Sequence, residues 1–369
     1  MSFTEIGVSK EIDKGLKELG IINPTKIQMA AIPVLSVENI DFVGQAQTGT
    51  GKTAAFGLPI LAKIDPTKDY VQALILAPTR ELGQQIAKQL FKFTKYSENV
   101  FTEAVYGGEK IDIQISRLKR PTQIIVATPG RLIDLLNRKV LDISKIHTLV
   151  LDEADEMLSM GFKDDLTKII SETKGDRNIW LFSATIPREL NEIIENYVSK
   201  DALRITVDKS ESVNAGISHH YVTGDDNNKL DTLASFLKSQ GKHRGIIFTK
   251  TKAAAKILAK QLQAKNHEVG LLEGDMLQKD REKVMRAFKN KSLRLLVSTD
   301  VAARGIDVDN LAFVVHYQLP DQTEYYTHRS GRTARAGNTG ISLVLVNPKE
   351  ARRIWELEKE LGIKFTKIK

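Results

Sequence analysis

An apolar run from Ile40 to Gly44 leads into Ala46-Gln47-Thr48-Gly49-Thr50-Gly51-Lys52-Thr53, and no other stretch constrains this chain as strongly. Glycines at 49 and 51 let backbone N–H groups turn toward an anion, Lys52 can reach outer phosphates, and Thr53 offers a hydroxyl to Mg²⁺. Ala46 stands where the usual G-x-x-x-x-G-K-[ST] pattern has its first glycine. The same residues could form a plain glycine-rich turn capping a helix. The phosphate-cradle reading therefore requires the rest of the chain to supply metal-holding and water-orienting carboxylates.

Length allows for them. A chain of 369 residues exceeds one average domain, and two domains are expected, residues 1–206 and 218–369 around a linker at 207–217. The linker is read from the stretch Val207 to Gly216, where Ser, Asn, Gly and charge replace apolar spacing. Lys and Arg number 54 against 46 Asp and Glu, and the pI of about 9.3 suits a polyanionic partner. Cysteine is absent, which excludes disulfides, thiolate metal sites and a cysteine nucleophile. Met1 to Gly20 lacks the apolar core of a signal peptide, and runs such as Ala73 to Pro78 are strand-length. A soluble, cytoplasmic protein with no membrane contact is expected.

Apolar, β-rich runs alternate with helical patterns: Val71 to Ala77, Phe101 to Tyr106, Ile124 to Thr128, Thr148 to Leu151 and Ile179 to Phe182. The pattern predicts an α/β fold, a parallel sheet with helices on both faces and function at the carboxyl ends of its strands. Asp152 ends one such run, where a phosphate-loop NTPase keeps its Mg²⁺-holding carboxylate. Glu153 follows, placed to orient or deprotonate water. Upstream, Pro24 and Thr25 open a helix carrying Gln28, whose amide can both donate to and accept from an adenine edge.

Taken in order, Gln28, Ala46 to Thr53, Pro78 to Leu82, Thr128 to Arg131, Asp152-Glu153-Ala154-Asp155 and Ser183 to Thr185 resemble the DEAD-box RNA helicases. Phe3 stands upstream of Gly20 at the family's spacing for an aromatic. The second half repeats the alternation at Gly245 to Thr249, Glu268 to Leu272, Leu293 to Ser298, Ala312 to Tyr317 and Ile341 to Val346, without a second phosphate loop. Its His328-Arg329-Ser330-Gly331-Arg332-Thr333-Ala334-Arg335 fits the helicase pattern H-R-x-G-R-x-x-R, and Ser298 to Asp307 fits another family motif. A final core helix is expected from Arg352 to Leu361.

The resemblance implies two tandem RecA-like domains joined by a short linker. It implies an ATP site of Phe3, Thr25, Gln28, Ala46, Gln47, Thr48, Gly49, Thr50, Gly51, Lys52, Thr53 and Asp307, with Mg²⁺ at Thr53 and Asp152. Lys52, Asp152, Glu153, Arg332 and Arg335 would be catalytic, the two arginines acting as fingers on the γ-phosphate, and Ser183 with Thr185 would couple hydrolysis to RNA. The RNA track would use Thr79, Arg80, Gly108, Thr128 and Arg131 on the first domain and Thr249, Gly274, Asp275, Gln278, Arg281 and Thr299 on the second. Glu273, Leu277, His316 and Gln318 depart from the residues most frequent in the family. His219, His220 and His316 read as packed or solvated, not catalytic.

The activity implied is an RNA-dependent ATPase, a monomer, that binds single-stranded RNA across both domains and separates short duplexes with little sequence specificity. An ATP-gated RNA clamp with little unwinding is the alternative. A DNA translocase fits the glutamine motif and both carboxylates less well. No arginine- and glycine-rich tail or added RNA-binding module follows the second domain, so sequence-specific targeting is not expected.

Overall fold

The computed structural model describes residues 1–369 except 48, 98–99, 174, 208–215, 226–227, 304–310, 335–337 and 369. It divides into two compact units, Met1–Val207 and Asp208–Lys369.

In the first unit, strands β1 (Phe42–Gln45), β2 (Ala73–Leu76), β3 (Thr102–Val105), β4 (Ile124–Ala127), β5 (Thr148–Asp152), β6 (Asn178–Ser183) and β7 (Leu203–Thr206) form one sheet in the order β3-β4-β2-β5-β6-β1-β7. Its neighbours pair in parallel. Successive side chains point to opposite faces, so each strand feeds two cores. Ala73 and Ile75 join Phe56, Ile86 and Phe182 on one face, while Leu74 and Leu76 join Leu132, Met157 and Ile169 on the other.

The second unit carries β8 (Ile217–Thr223), β9 (Gly245–Thr249), β10 (Val269–Leu272), β11 (Leu295–Thr299), β12 (Phe313–His316), β13 (Gly340–Val346) and β14 (Phe365–Lys367) in the order β10-β11-β9-β12-β13-β8-β14. Numbered from each unit's first strand, the two sheets have the same order. The final helix, Ala351–Leu361, buries Ile354 and Leu357 and leaves Trp355 exposed.

Among the described residues, no helix is long and apolar enough to cross a membrane. Three strands lie beyond the expected runs: β7, β8 and β14. Both end residues of the expected linker are joined to a sheet. Val207 donates its N–H to Gln45 O at 2.9 Å and Ile217 already belongs to β8, because backbone groups beside a sheet edge gain a ladder partner there. Residues 208–215 of that linker lie outside the described residues.

Candidate functional site

β1 delivers the glycine-rich loop. Gly49 and Gly51 have φ of +83° and +88°, left-handed conformations that a side chain disfavours. Gly51 is also closed off by its neighbour, since an added Cβ would lie 2.2 Å from Gln28 Nε2. The loop is laced to the segment before it. Gln28 Nε2 donates to Gly51 O at 2.9 Å, Thr25 Oγ1 donates to Thr50 O at 2.7 Å, and Thr50 Oγ1 donates to Gln47 O at 2.8 Å. Gln28 Oε1 accepts from the Thr25 N–H at 2.9 Å, which closes a capping box at the head of the Lys26–Leu35 helix.

Lys52 begins the Lys52–Lys63 helix, with Thr53 next to it. The Lys52 side chain is buried, and its ammonium donates to Ala46 O at 3.0 Å. Gln47 Oε1 is buried without a hydrogen-bond partner. A buried cation beside positive-φ glycines and the positive end of a helix dipole is a site for a polyphosphate. Thr48 lies outside the described residues.

Asp152 closes β5 and is 3% exposed. Burial pushes its carboxyl above the ordinary range; the charge of Lys52 opposes the rise and that of Glu153 adds to it. A carboxylate desolvated in this way gains from a cation. Among the described residues no three His, Cys, Asp or Glu side chains cluster as a metal cage. The oxygens of Asp152 and Thr53 instead fit Mg²⁺, which takes one or two protein ligands and fills its shell with water and substrate phosphate.

Glu153 has φ of +51° and donates its N–H to Asp152 Oδ1 at 3.0 Å. Asp155, given no role of its own from the sequence, ties this turn to β6. Its Oδ2 accepts from the Thr185 N–H at 2.8 Å and Thr185 Oγ1 at 2.9 Å, and its own N–H donates to Ser183 Oγ at 3.2 Å. Ser183 O in turn accepts from the Ala46 N–H at 2.9 Å. The phosphate loop, the carboxylate turn and Ser183 to Thr185 are thus one hydrogen-bonded body.

Phe3, the aromatic expected to touch adenine, has no exposed surface and packs into the first unit's core, where an aromatic ring gains most by leaving water. Thr25 and Gln28 hold the loop from that side.

The first unit's proposed RNA residues sit at the ends of β2, β3 and β4, adjacent strands of the sheet. Thr79 caps the Arg80–Phe93 helix, accepting from the Leu82 N–H at 3.3 Å. Arg80 lies over the Tyr106 ring at 4.6 Å. Gly108 is exposed with φ of +85°. Thr128 is the N-cap of the Pro129–Asn137 helix, and Arg131 donates to Glu109 O at 3.0 Å. Sequence reading missed Tyr106 and Glu109, which Gln114 joins through Nε2 at 2.9 Å to each.

In the second unit, Gly274 and Thr299 line an open cleft of about 910 Å³ together with Lys250, Thr251, Lys252 and Tyr325. Asp275 pairs with Lys252 and accordingly titrates below the ordinary carboxylate range. Gln278 donates to Glu282 at 3.1 Å, and Arg281 to Ala302 O at 2.8 Å. Glu273 is buried, accepting from the Asp275 N–H at 2.7 Å with Lys256 at 3.2 Å. Thr249, the last residue of β9, is wholly buried and donates to Thr251 O, and Thr251, which caps the next helix, lines the cleft beside Thr299. Its signal in the sequence is a threonine immediately before a helical pattern.

Arg332 follows the Thr323–Ser330 helix and is partly buried. Asp307 and Arg335 lie outside the described residues.

Residues 25–193 match the family model described as DEAD/DEAH box helicase, and residues 228–337 match Helicase conserved C-terminal domain. The DEAD-box ATP-dependent RNA helicase CshA of Geobacillus kaustophilus is 40% identical over 368 residues, covering 100% of this chain and 78% of that protein. CshA of Limosilactobacillus reuteri is 42% identical over 369 residues, covering 100% and 74%. Among solved structures, S. cerevisiae Dbp5 bound to RNA and ADP BeF3 matches with a TM-score of 0.89 at 31% identity, covering 100% of this chain and 95% of that one. The DEAD-box helicase Mss116 bound to ssRNA and UDP-BeF matches with 0.88 at 30% identity, covering 100% and 79%. These likenesses run through the loop, the carboxylates and the second unit alike, and the chain belongs to the DEAD-box family of ATP-dependent RNA helicases.

Proposed function

We propose that this chain is an RNA-dependent ATPase that grips single-stranded RNA with both units and uses ATP to separate short duplexes locally. The observation that carries the reading is the hydrogen-bonded body linking Ala46, Asp155, Ser183 and Thr185, because it connects the phosphate loop to the segment proposed to sense RNA. Lys52 and the loop N–H groups hold the triphosphate, Thr25 and Gln28 secure the nucleotide side of the loop, and Glu153 takes a proton from the attacking water. Asp152 and Thr53 would hold Mg²⁺, which would supply charge neutralisation for the phosphates. Arg332 and Arg335 act as arginine fingers on the γ-phosphate.

Both ligands then favour one closed arrangement, so ATP and RNA bind with reciprocal positive coupling. Closure on phosphates and 2′-hydroxyls bends one strand, and a bent strand leaves its duplex. Hydrolysis removes the γ-phosphate and reopens the grip. The protein acts as a monomer. The test compares RNA with DNA of the same sequence as activators of ATP hydrolysis: stimulation by RNA alone supports the proposal, and equal stimulation by both overturns it. Separation of a short duplex that requires ATP and outruns spontaneous melting distinguishes unwinding from simple clamping.

A further inference from the structure

The second unit buries a polar cluster that no step of the proposed reaction uses. Three strands contribute to it: His219 from β8, Ser342 from β13 and His316 from β12. Ser342 lies in register with His219, and β12 pairs with β13 on the other side. The Thr323–Ser330 helix supplies Tyr326 and Ser330, one turn apart on the same face. Tyr326 Oη lies 2.5 Å from His219 Nδ1 and 3.1 Å from Ser342 Oγ. Ser330 Oγ lies 2.9 Å from Ser342 Oγ and 3.2 Å from His316 Nε2, which is itself 3.1 Å from Ser342 Oγ. The His316 and Tyr326 rings stack with centroids 4.6 Å apart. All five residues are buried.

Such a cluster is a poor way to hold a helix if stability alone matters, since apolar side chains of the same volume need no partners. Its distinction is direction. Apolar packing tolerates small slides and rotations, whereas these hydrogen bonds are all made in one helix register. The next anchors continue the theme. Arg329 forms a bidentate pair with Asp300 at 2.5 and 2.7 Å and donates to Gln318 O at 2.8 Å. Beyond the helix, Thr333 donates its hydroxyl to Leu311 O and bridges that residue. Arg332 lies in sequence between the anchors at Arg329 and Ser330 and the anchor at Thr333.

We infer that Tyr326 is a positioning residue for ATP hydrolysis: by fixing the register of the Thr323–Ser330 helix on β8 and β13, it sets the point from which Arg332 reaches the γ-phosphate. The inference rests on the proposed role of Arg332. Tyr326→Phe removes one oxygen and keeps the ring stack on His316, so it frees the register with the least loss of packing.

The test uses the full chain with saturating RNA. Tyr326→Phe is expected to lower kcat about tenfold, within the range that small misplacements of a reacting group produce, with the KM for ATP changed less than about twofold. Ser342→Ala and Ser330→Ala should act in the same direction. In an Arg332→Ala background, Tyr326→Phe should add less than about twofold, because the group it positions is gone. A merely structural role predicts the same fold-loss in both backgrounds, and that result overturns the inference. If Tyr326→Phe fails to fold by circular dichroism, the two serine variants carry the same expectation, and wild-type kcat in both overturns it. Normal hydrolysis by Arg332→Ala removes the assigned role of Arg332 and the inference with it; impaired hydrolysis by Arg332→Ala with normal hydrolysis by Tyr326→Phe removes the inference alone.

Discussion

The side-chain amide of Gln28 donates to the carbonyl oxygen of Gly51 across 2.9 Å, so the residue expected to read adenine also holds the phosphate loop. Both ends of the amide are engaged, the oxygen by the Thr25 N–H and the nitrogen by Gly51. Gln28→Glu keeps the acceptor and replaces the donor with an oxygen facing Gly51 O. A buried acceptor left opposite another costs about 1–3 kcal/mol, and at about 2–4 °C per kcal/mol for a domain of this size the loss is measurable as a lowered Tm. Weakened binding of a fluorescent ATP analogue should accompany it. An unchanged Tm and affinity would show that the latch is idle.

Glu153→Gln should reduce turnover by about 10²- to 10⁴-fold while ATP binding survives, because it removes the proposed base and keeps its size. Single-turnover hydrolysis and equilibrium nucleotide binding separate the two effects. Turnover at the normal rate would refute the assignment of the base.

Arg329 is buried to 2% exposure against Asp300. Asp300→Asn leaves the guanidinium without its counter-charge, and breaking a buried pair from one side costs about 3 kcal/mol. Denaturant titration should show the second unit destabilised. Arg329→Lys cannot restore the two-pronged pairing and should lie between wild type and Asp300→Asn.

Acid should weaken the second unit through its histidines. Burial pushes His219 down to about 4, helped by the charge of His220, and holds His316 well below the ordinary value, helped by Arg329 and His219. An unfolded histidine takes a proton near its ordinary value of 6.5 while the folded His219 resists until about 4. Between those limits the unfolded chain binds more protons, so this contribution is whole above the upper limit and is lost as pH falls toward the lower. The slope approaches about 1.4 kcal/mol per pH unit for each histidine. Unfolding midpoints taken across that window should fall with pH, and His316→Asn should flatten the curve.

Much of this was legible from residue order, for local reasons. Glycine, lysine and threonine around positions 49 to 53 act through backbone freedom and charge that neighbours in sequence largely determine. Strands such as β2, β4 and β5 are buried along their length, so they read as unbroken apolar runs. β7 alternates between half-buried and exposed at the sheet edge, and β14 is three residues long, so neither rises above its surroundings. β8 was hidden by its histidines: His219 counts as polar in a pattern, yet its burial rests on Tyr326, more than a hundred residues away, with which it shares a hydrogen bond. Phe3 shows the same limit, since its spacing in the sequence does not reveal that its ring is packed in the core.

The backbone at Glu153 carries a last consequence. A φ of +51° on a residue with a branched-off side chain costs on the order of 1 kcal/mol, and glycine or asparagine would relieve it. The protein should therefore be sturdier without its proposed proton acceptor than with it. Selection for heat resistance alone would drift toward Glu153→Gly and silence the enzyme, so activity and durability pull this one position in opposite directions.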